Sequence, residues 1–416
     1  MNKRYNSRGV QPRRTALTVA LAMGLGFTGF AYGQATTGSI FGTAPVGVGE
    51  TVMVQGANGT NREVAVDSSG RYSVTVPVGR YTVTLRKDGQ VLATQENVGV
   101  SPGGGTQVPF AAATAQNAQN LSAVQVVASA LPAIDVTSVN SSTIITAADL
   151  AKLPVSRSAE SIALLAPSTA KGSSYFPNAV AFGGSSVSEN AYYVNGYTTG
   201  APYKNIGGFQ LPYGSIDQQE TLTGGYDAKY GRSDGGVINQ IGKRGTNEWH
   251  FGAQVAWEPR FLEASPRNTY YPHQTVPGPA GPTTYQLASP ELQGTLDRYR
   301  NDNKQWETIY SAYVGGPLIK DKLFLFLAGE TTKTHYNSVQ TAVQGSVSSV
   351  DYNRDKHNKF YGKLDWNITD NNVLELTALK DNQTTGAGST YNFDYNKLQA
   401  TTFRTPNDVS KNNAAF

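Results

Sequence analysis

The clearest pattern in the second half of the chain is a strict alternation of large apolar residues with small or polar ones. From Trp249 to Trp257, aromatic and aliphatic side chains recur at every second position, and His, Gly, Gln and Ala lie between them. Successive side chains of a β-strand point to opposite faces, so this segment predicts a strand with one apolar face. Aromatic residues at both ends of that face are typical of a strand that contacts lipid.

The same alternation recurs in four later segments, which we predict to be further strands of one barrel-type sheet. They cover residues 306–318, 323–334, 359–368 and 373–381. The second contains "LFLFLA", which is apolar on both faces and therefore alternates poorly.

The connections between these segments alternate in length. Residues 259–305 and 335–358 form long connections, whereas tight turns are predicted at Lys320-Asp321 and Asp370-Asn371. This asymmetry is typical of outer-membrane barrels, although soluble sandwiches also alternate. We therefore predict that residues 249–416 form the first strands of an incomplete transmembrane β-barrel. Five strands cannot close a barrel, so we expect an N-terminal portion of a longer barrel protein, from a truncated gene, a frameshift or an incomplete sequence record.

The formal net charge of +4 comes from the extreme N-terminus, where five basic residues precede the first acidic one, Glu50. Subtracting these five from 34 Lys and Arg leaves 29 basic against 30 acidic residues, which removes the support for a nucleic-acid-binding protein with a basic face. The basic residues precede an apolar run that ends in small residues. This is the layout of a secretory signal peptide, which we assign to residues 1–35, with cleavage near Gly33 or Ala35.

Residues 36–110 contain short β-branched runs separated by turn residues, which predicts a β-sandwich. The stretch "DSSGRYSVTVPVGRYTVTL" resembles the carboxypeptidase-regulatory-like domain at Asp67, Gly70, Tyr72, Gly79 and Tyr81. The resemblance implies a prealbumin-like sandwich with a carbohydrate-binding-type fold. It does not imply peptidase activity, because no His precedes His250 to complete a zinc-ligand set.

Residues 111–137 form a Gly-, Ala- and Gln-rich linker that carries a short apolar run at Val124, Val126 and Val127. This run is either an edge strand of the next domain or a docking strand that pairs with another protein's sheet. Its position before the next domain favours the docking strand.

Residues 138–248 alternate short helices and strands, which predicts an α+β domain. One helix begins at the cap Thr146 and ends before Pro154, and a second ends before Pro167. A strand ends at the Asn195-Gly196 turn, and residues 213–225 predict a pair of strands.

No pattern in the chain predicts catalysis or metal binding. The chain has no Cys, and its four His lie at scattered positions, without the spacing of a ligand set. Neither a nucleophile elbow nor a phosphate-binding loop occurs. We therefore expect no enzyme activity, no cofactor and no metal.

The segment from Gly224 to Gly252 resembles the end of the plug domain of a TonB-dependent receptor passing into the first barrel strand. The resemblance is greatest to the Oar-like branch, which carries a carboxypeptidase-regulatory-like domain in front. A second segment, "ENAYYVNGYTT" at residues 189–199, resembles another plug motif, and within it Asn195 stands where the family usually has Asp. The plug-motif positions are Asn190, Tyr192, Asn195, Gly196, Asp227, Tyr230, Gly231, Arg232, Gly235, Gly236 and Asn239, and the TonB-box positions are Leu121, Val124, Gln125, Val126 and Val127.

This resemblance implies uptake of an unidentified extracellular ligand across the outer membrane, with energy from TonB and its ExbB-ExbD complex. The implied partners are TonB, outer-membrane lipid and the ligand. No nucleic-acid partner is expected. The charges of Arg232, Asp234, Lys243 and Arg244 are either solvated turn charges or partners of lumen charges with a role in gating. The alternative function is a surface adhesin or carbohydrate-binding protein without transport.

Overall fold

The computed structural model describes residues 37–45, 50–110, 141–173, 175–176, 179–201, 206–226, 230–231, 233–271, 294–340, 348–369 and 372–415. The predicted signal peptide, at 1–35, and the predicted TonB box, at 121–127, lie outside the described residues. The described chain is mainly β, as predicted.

The first part is a sandwich of two sheets, which confirms the predicted fold. One sheet has the strand order β4-β1-β7 and the other β3-β2-β5-β6. The core between them includes Ile40, Val52, Val83 and Leu85. The strands are β1 (Thr37–Thr43), β2 (Glu50–Gly56), β3 (Asn61–Ala65), β4 (Arg71–Pro77), β5 (Gly79–Lys87), β6 (Gln90–Val100) and β7 (Gly105–Gln107).

The second part, called the plug here, is an α+β unit with a five-stranded sheet in the order β12-β11-β14-β13-β8. Strands β11 and β14 pair in parallel, and the other neighbours in this sheet are antiparallel. The elements are β8 (Ser141–Thr146), α1 (Ala147–Leu150), α2 (Ala159–Ala163), β9 (Thr169–Lys171), β10 (Val180–Phe182), β11 (Ala191–Val194), β12 (Tyr197–Thr198), β13 (Ile216–Gly224) and β14 (Val237–Gly242).

The local signals in the plug are largely confirmed. Thr146 caps α1 in a capping box with Asp149, and the Asn195-Gly196 turn has φ of +50° and +78°. The predicted pair of strands at 213–225 is wrong. A 3₁₀ turn at Tyr213–Ser215 leads into the single nine-residue strand β13, because no turn residue interrupts "IDQQETL". Its partners, β8 and β14, both lie outside the 213–225 segment.

The third part is a seven-stranded antiparallel sheet, called the wall here. Its order is β15-β18-β19-β20-β21-β22, and β23 also pairs with β21. A small hairpin, β16–β17, lies in the connection between β15 and β18. The strands are β15 (His250–Glu258), β16 (Thr269–Tyr270), β17 (Leu296–Arg298), β18 (Gln305–Ile319), β19 (Leu323–Val339), β20 (Ser348–Thr369), β21 (Asn372–Asp394), β22 (Gln399–Pro406) and β23 (Ser410–Ala415).

The wall strands are longer and more numerous than the sequence predicts. The predicted long connection at 335–358 is wrong, because β19 continues to Val339 and β20 begins at Ser348. The added residues, such as "DYNRDKHNK", are polar at both parities and so carry no period-2 signal.

The register gives the wall one outer and one inner face. The outer face exposes an apolar band that includes Phe251, Val255, Tyr310, Val314 and Leu376, and this confirms the apolar face predicted for Trp249 to Trp257. On the inner face, residues such as Phe326 and Tyr361 share a buried core with plug residues. The "LFLFLA" segment is therefore apolar on both faces because its inner face is covered. No helix among the described residues is long and apolar enough to cross a bilayer.

Candidate functional site at the seam between plug and wall

The described plug-motif residues come together because β11 and β14 are paired. The parallel register places Ala191 opposite Val237 and Tyr193 opposite Asn239. Asn190, Tyr192, Asn195 and Gly196 lie on or beside β11, and Gly235, Gly236 and Asn239 lie on or beside β14. Tyr230 and Gly231 lie between β13 and β14, whereas Asp227 and Arg232 fall outside the described residues.

Most of these residues fix the plug's own packing. The Asn190 side chain donates to the Val180 carbonyl at 2.6 Å and accepts from the Gly236 N–H at 3.4 Å. A side chain at Gly236 would collide with the ring of Phe182, so only glycine fits there. The hydroxyl of Tyr193 donates to the Gly231 carbonyl at 3.2 Å. These contacts hold β11 and the segment leading into β14 against each other and against β10.

Tyr230 and Asn239 also contribute to the plug interior. The Tyr230 ring packs edge-on against Tyr193, with 5.3 Å between ring centroids. The Asn239 side-chain amide donates to Glu220 at 3.4 Å, and Asn239 is 1% exposed. Both residues therefore stabilise the sheet from which the seam is built.

Asn195 instead joins the plug to the wall. Its side-chain oxygen accepts from the Gly242 N–H at 2.8 Å. Its side-chain amide nitrogen donates to the Tyr361 hydroxyl and to Thr377 Oγ1, each at 3.2 Å. The Tyr361 hydroxyl in turn donates to the Lys243 carbonyl at 3.1 Å. An amide can accept from the plug and donate to the wall at once, whereas an ionised carboxylate only accepts. This explains how Asn serves at a position where the family usually has Asp.

A buried cluster of four charges lies beside Asn195, and we call it the charge cluster. Arg244 of the plug contacts Glu375 of the wall at 2.9 Å, and Lys363 Nζ lies 3.2 Å from Glu375 and 3.7 Å from Asp365. The side chains of Arg244 and Glu375 are 13% and 17% exposed. Two cations face two carboxylates, so the cluster is neutral. Removing any one member would leave a buried charge uncompensated.

The charge cluster sets the ionisation of the plug cation. Burial opposes the charge on Arg244, but the carboxylates of Asp365 and Glu375 outweigh burial and raise the pKa of the guanidinium. Burial lowers the pKa of the neighbouring Lys243, and Asp217 opposes that effect. Two of the four predicted plug charges, Lys243 and Arg244, thus lie in the seam.

A second set of polar contacts closes the seam at the 3₁₀ turn. Glu330 of the wall accepts from the Tyr213 N–H at 3.0 Å and from Lys359 Nζ at 3.2 Å. Lys243 Nζ donates to the Gly214 carbonyl at 2.9 Å and lies 5.0 Å from the centre of the Tyr313 ring. Sequence patterns did not single out the wall partners, since charged residues on strands carry no information about register.

The seam joins the plug to the wall through charges, hydrogen bonds and a shared apolar core. Within the described ranges, no group of three or more His, Cys, Asp and Glu could hold a metal ion. This arrangement can hold the plug against the wall through polar contacts that water can replace.

Comparisons with known proteins agree with this arrangement. A model described as the carboxypeptidase regulatory-like domain matches residues 42–113, and one described as the TonB-dependent receptor plug domain matches residues 135–238. The TonB-dependent transporter Oar of Myxococcus xanthus is 31% identical over 185 residues, which cover 44% of this chain and 15% of Oar.

Two solved structures show the size of the related proteins. The siderophore receptor PirA from Acinetobacter baumannii is 21% identical with a TM-score of 0.37, over 61% of this chain and 32% of PirA. The outer membrane transporter YddB from Escherichia coli is 14% identical with a TM-score of 0.43, over 61% of this chain and 35% of YddB. The chain therefore spans about a third or less of the length of these relatives.

Oar is described as a transporter, in agreement with the prediction that the chain is not an enzyme. The regulatory-like match falls on the sandwich, and the plug match falls on most of the plug sheet, including β11, which Asn195 follows directly. The chain thus carries a carboxypeptidase regulatory-like domain followed by a TonB-dependent receptor plug domain, and it is similar to a TonB-dependent transporter.

Proposed function

We propose that the protein is an outer-membrane transporter that takes up an extracellular ligand with energy supplied through TonB and ExbB-ExbD. The observation that carries this proposal is the seam. Beside the apolar core that the two parts share, the plug is fastened to the wall by polar contacts of Asn195, the charge cluster and Glu330. Such contacts can break and re-form because water replaces the lost hydrogen bonds.

The outer face of the wall supports location in the outer membrane. Its exposed aliphatic and aromatic side chains would meet lipid hydrocarbon, as the outer residues of membrane barrels do. Burial of that band in lipid removes its apolar area from water.

Energy would enter through the predicted TonB box, at Leu121, Val124, Gln125, Val126 and Val127. A short apolar segment can add itself as a strand to the edge of a partner's sheet, with backbone hydrogen bonds giving the affinity. The box precedes Ser141, where β8 begins, and β8 is the edge strand of the plug sheet. A partner bound at the box would therefore act on the plug through a strand with a single neighbour.

The test is substitution of Val126 by proline. Proline removes one backbone donor from the added ladder, so Val126→Pro should abolish retention of the receptor by the purified periplasmic domain of TonB. Val126→Ala keeps the N–H and is the matched control, with retention close to wild type.

Equal retention of Val126→Pro and wild type would contradict the assignment of the box. Failure of the wild-type protein to bind TonB at all would favour the alternative, a surface binding protein without transport. Hydrogen exchange of the plug amides, unchanged in both variants, shows that the substitutions act on the box alone.

A further inference from the structure

The hairpin turn between β2 and β3 of the sandwich is held in one conformation from within. The Gly59 N–H donates to the Gly56 carbonyl at 3.1 Å, and the Gly56 N–H donates to the Thr60 carbonyl at 2.8 Å. Asn58 accepts from the Thr60 N–H and donates to the Tyr81 hydroxyl, each at 3.1 Å. These bonds leave the carbonyls of residues 57 and 58 available to other partners.

Both carbonyls are used by residues outside the sandwich. The Ala57 carbonyl accepts from the Asn247 N–H at 3.0 Å, and the Asn58 carbonyl accepts from Asn367 Nδ2 at 3.3 Å. Asn247 lies on the connection from the plug to the wall, between β14 and β15, and Asn367 lies near the end of β20. The turn therefore touches the plug-to-wall connection and the wall at once.

Asp321 links these two partners to each other. Asn247 Nδ2 donates to the Asp321 carboxylate at 2.6 Å, and the Asp321 N–H donates back to Asn247 Oδ1 at 2.8 Å. Asn367 Nδ2 also donates to the Asp321 carbonyl, at 3.1 Å. The turn thus sits on a hydrogen-bonded junction rather than on isolated surface groups.

Gly59 allows the turn to approach so closely. Its φ is +73°, and a Cβ at this position would lie 2.8 Å from both the Asp321 carbonyl oxygen and Phe324 Cζ. Phe324 is 1% exposed, so it has little room to move aside. Any side chain at residue 59 would push the turn off the junction.

We infer that the turn at residues 57–60 is a clasp by which the sandwich docks on the base of the wall and restrains the plug-to-wall connection. Asn247 lies three residues after Arg244, the plug member of the charge cluster. Movement of Arg244 away from Glu375 would pull on the backbone at Asn247. That pull would strain the hydrogen bond from the Asn247 N–H to the Ala57 carbonyl of the clasp. The sandwich therefore opposes opening of the seam, whether or not TonB acts on the chain.

The sandwich contains its own control for a test of the clasp. Gly89, in the turn between β5 and β6, has φ of +80°, and a Cβ there would have nothing within 4 Å. Gly59→Ala and Gly89→Ala therefore place alanine in the same left-handed region, and only Gly59→Ala collides with the wall. We expect hydrogen exchange at the Asn247 amide to rise about two- to tenfold in Gly59→Ala, as for the loss of one net hydrogen bond, and to stay at the wild-type rate in Gly89→Ala.

A second variant separates undocking from unfolding of the sandwich. Asn367→Ala removes the amide that donates to the Asn58 carbonyl without changing the sandwich. It should also accelerate exchange at Asn247 while the amides of β2 and β5 remain protected. Asn372→Ala, which removes an exposed turn amide bonded to Thr369, is its control. Unchanged exchange at Asn247 in both Gly59→Ala and Asn367→Ala would overturn the inference.

Discussion

Asn195 offers the sharpest test of the seam, since its side chain makes one hydrogen bond within the plug, to Gly242, and two to the wall, to Tyr361 and Thr377. Asn195→Gly removes the side chain and accommodates the φ of +50°. The Gly242 N–H then loses its acceptor in a buried strand, at a cost of about 1–3 kcal/mol. The bonds to Tyr361 and Thr377 add roughly 0.5–1.5 kcal/mol each. Together, these losses predict destabilisation of the closed plug by about 2–6 kcal/mol.

Asn195→Ala makes the same losses and adds backbone strain. Alanine in the left-handed region is disfavoured by roughly 1–2 kcal/mol, whereas Gly is not. We therefore expect Asn195→Ala to be about 1 kcal/mol less stable than Asn195→Gly. This difference separates the backbone effect from the loss of hydrogen bonds.

The absence of Cys from the chain makes the assay simple. A single cysteine at Val237, which is 0% exposed in the plug core, reacts with a maleimide only when the plug opens. If closing is faster than labelling, the labelling rate reports the free energy of opening. A factor of ten corresponds to about 1.4 kcal/mol, so Asn195→Gly should label roughly 30- to 10⁴-fold faster.

The pairing of Asn195 with Tyr361 supplies the refuting result. Tyr361→Phe removes only the hydroxyl, and the double variant with Asn195→Gly should be less destabilised than the sum of the two single variants. Strict additivity would show that the two groups are not coupled. A rise of less than about threefold for Asn195→Gly would show that the hydrogen bonds do not hold the plug.

Two further predictions concern buried charge. Glu375→Gln leaves Arg244 and Lys363 to share Asp365, so opening measured by the same thiol assay should become easier by about 3–5 kcal/mol; the exchanged pair Arg244→Glu with Glu375→Arg should recover part of this, and no recovery would argue against a direct ion pair. Burial raises the pKa of Glu160 above its ordinary value of 4.5, so the folded plug binds this proton more tightly than the unfolded chain and loses stability as the pH rises above about 4.5. The plug of Glu160→Gln should therefore be as stable as the wild-type plug at pH 4 and more stable at pH 8. Stability is measured as protection of the plug amides from hydrogen exchange, corrected for the intrinsic pH dependence. A constant difference between the two pH values would refute the assignment.

Sequence patterns predicted those parts of the fold where one face is apolar and the other is not. The first wall strand, β15, was found in this way because its outer residues are exposed and apolar while Gly252 and Gln254 lie between them. The first half of β20 carries no such signal, because residues such as Asp351, Arg354 and His357 are polar on either face. Period-2 hydrophobicity marks a strand only where the environments of its two faces differ.

The seam could be predicted only in part, for a different reason. The resemblance drew attention to Asn195, and the charge pattern drew attention to Arg244. The partner of Arg244 lies 131 residues later along the chain, on a strand whose register depends on the packing of the whole wall. A single sequence identifies a charge that needs compensation, but it does not identify the compensating residue.

The pairing of β8 has a mechanical consequence. This edge strand runs antiparallel to β13, and its first residue, Ser141, lies opposite Gly224 at the end of the ladder. A load applied at Ser141 and directed away from the sheet would strain the hydrogen bonds one at a time, starting at the side-chain hydrogen bond between the Ser141 and Thr223 hydroxyls, at 2.9 Å. Peeling in this way needs less force than shearing the whole ladder at once. The plug can therefore yield along one margin while β11, β13 and β14 keep their pairing.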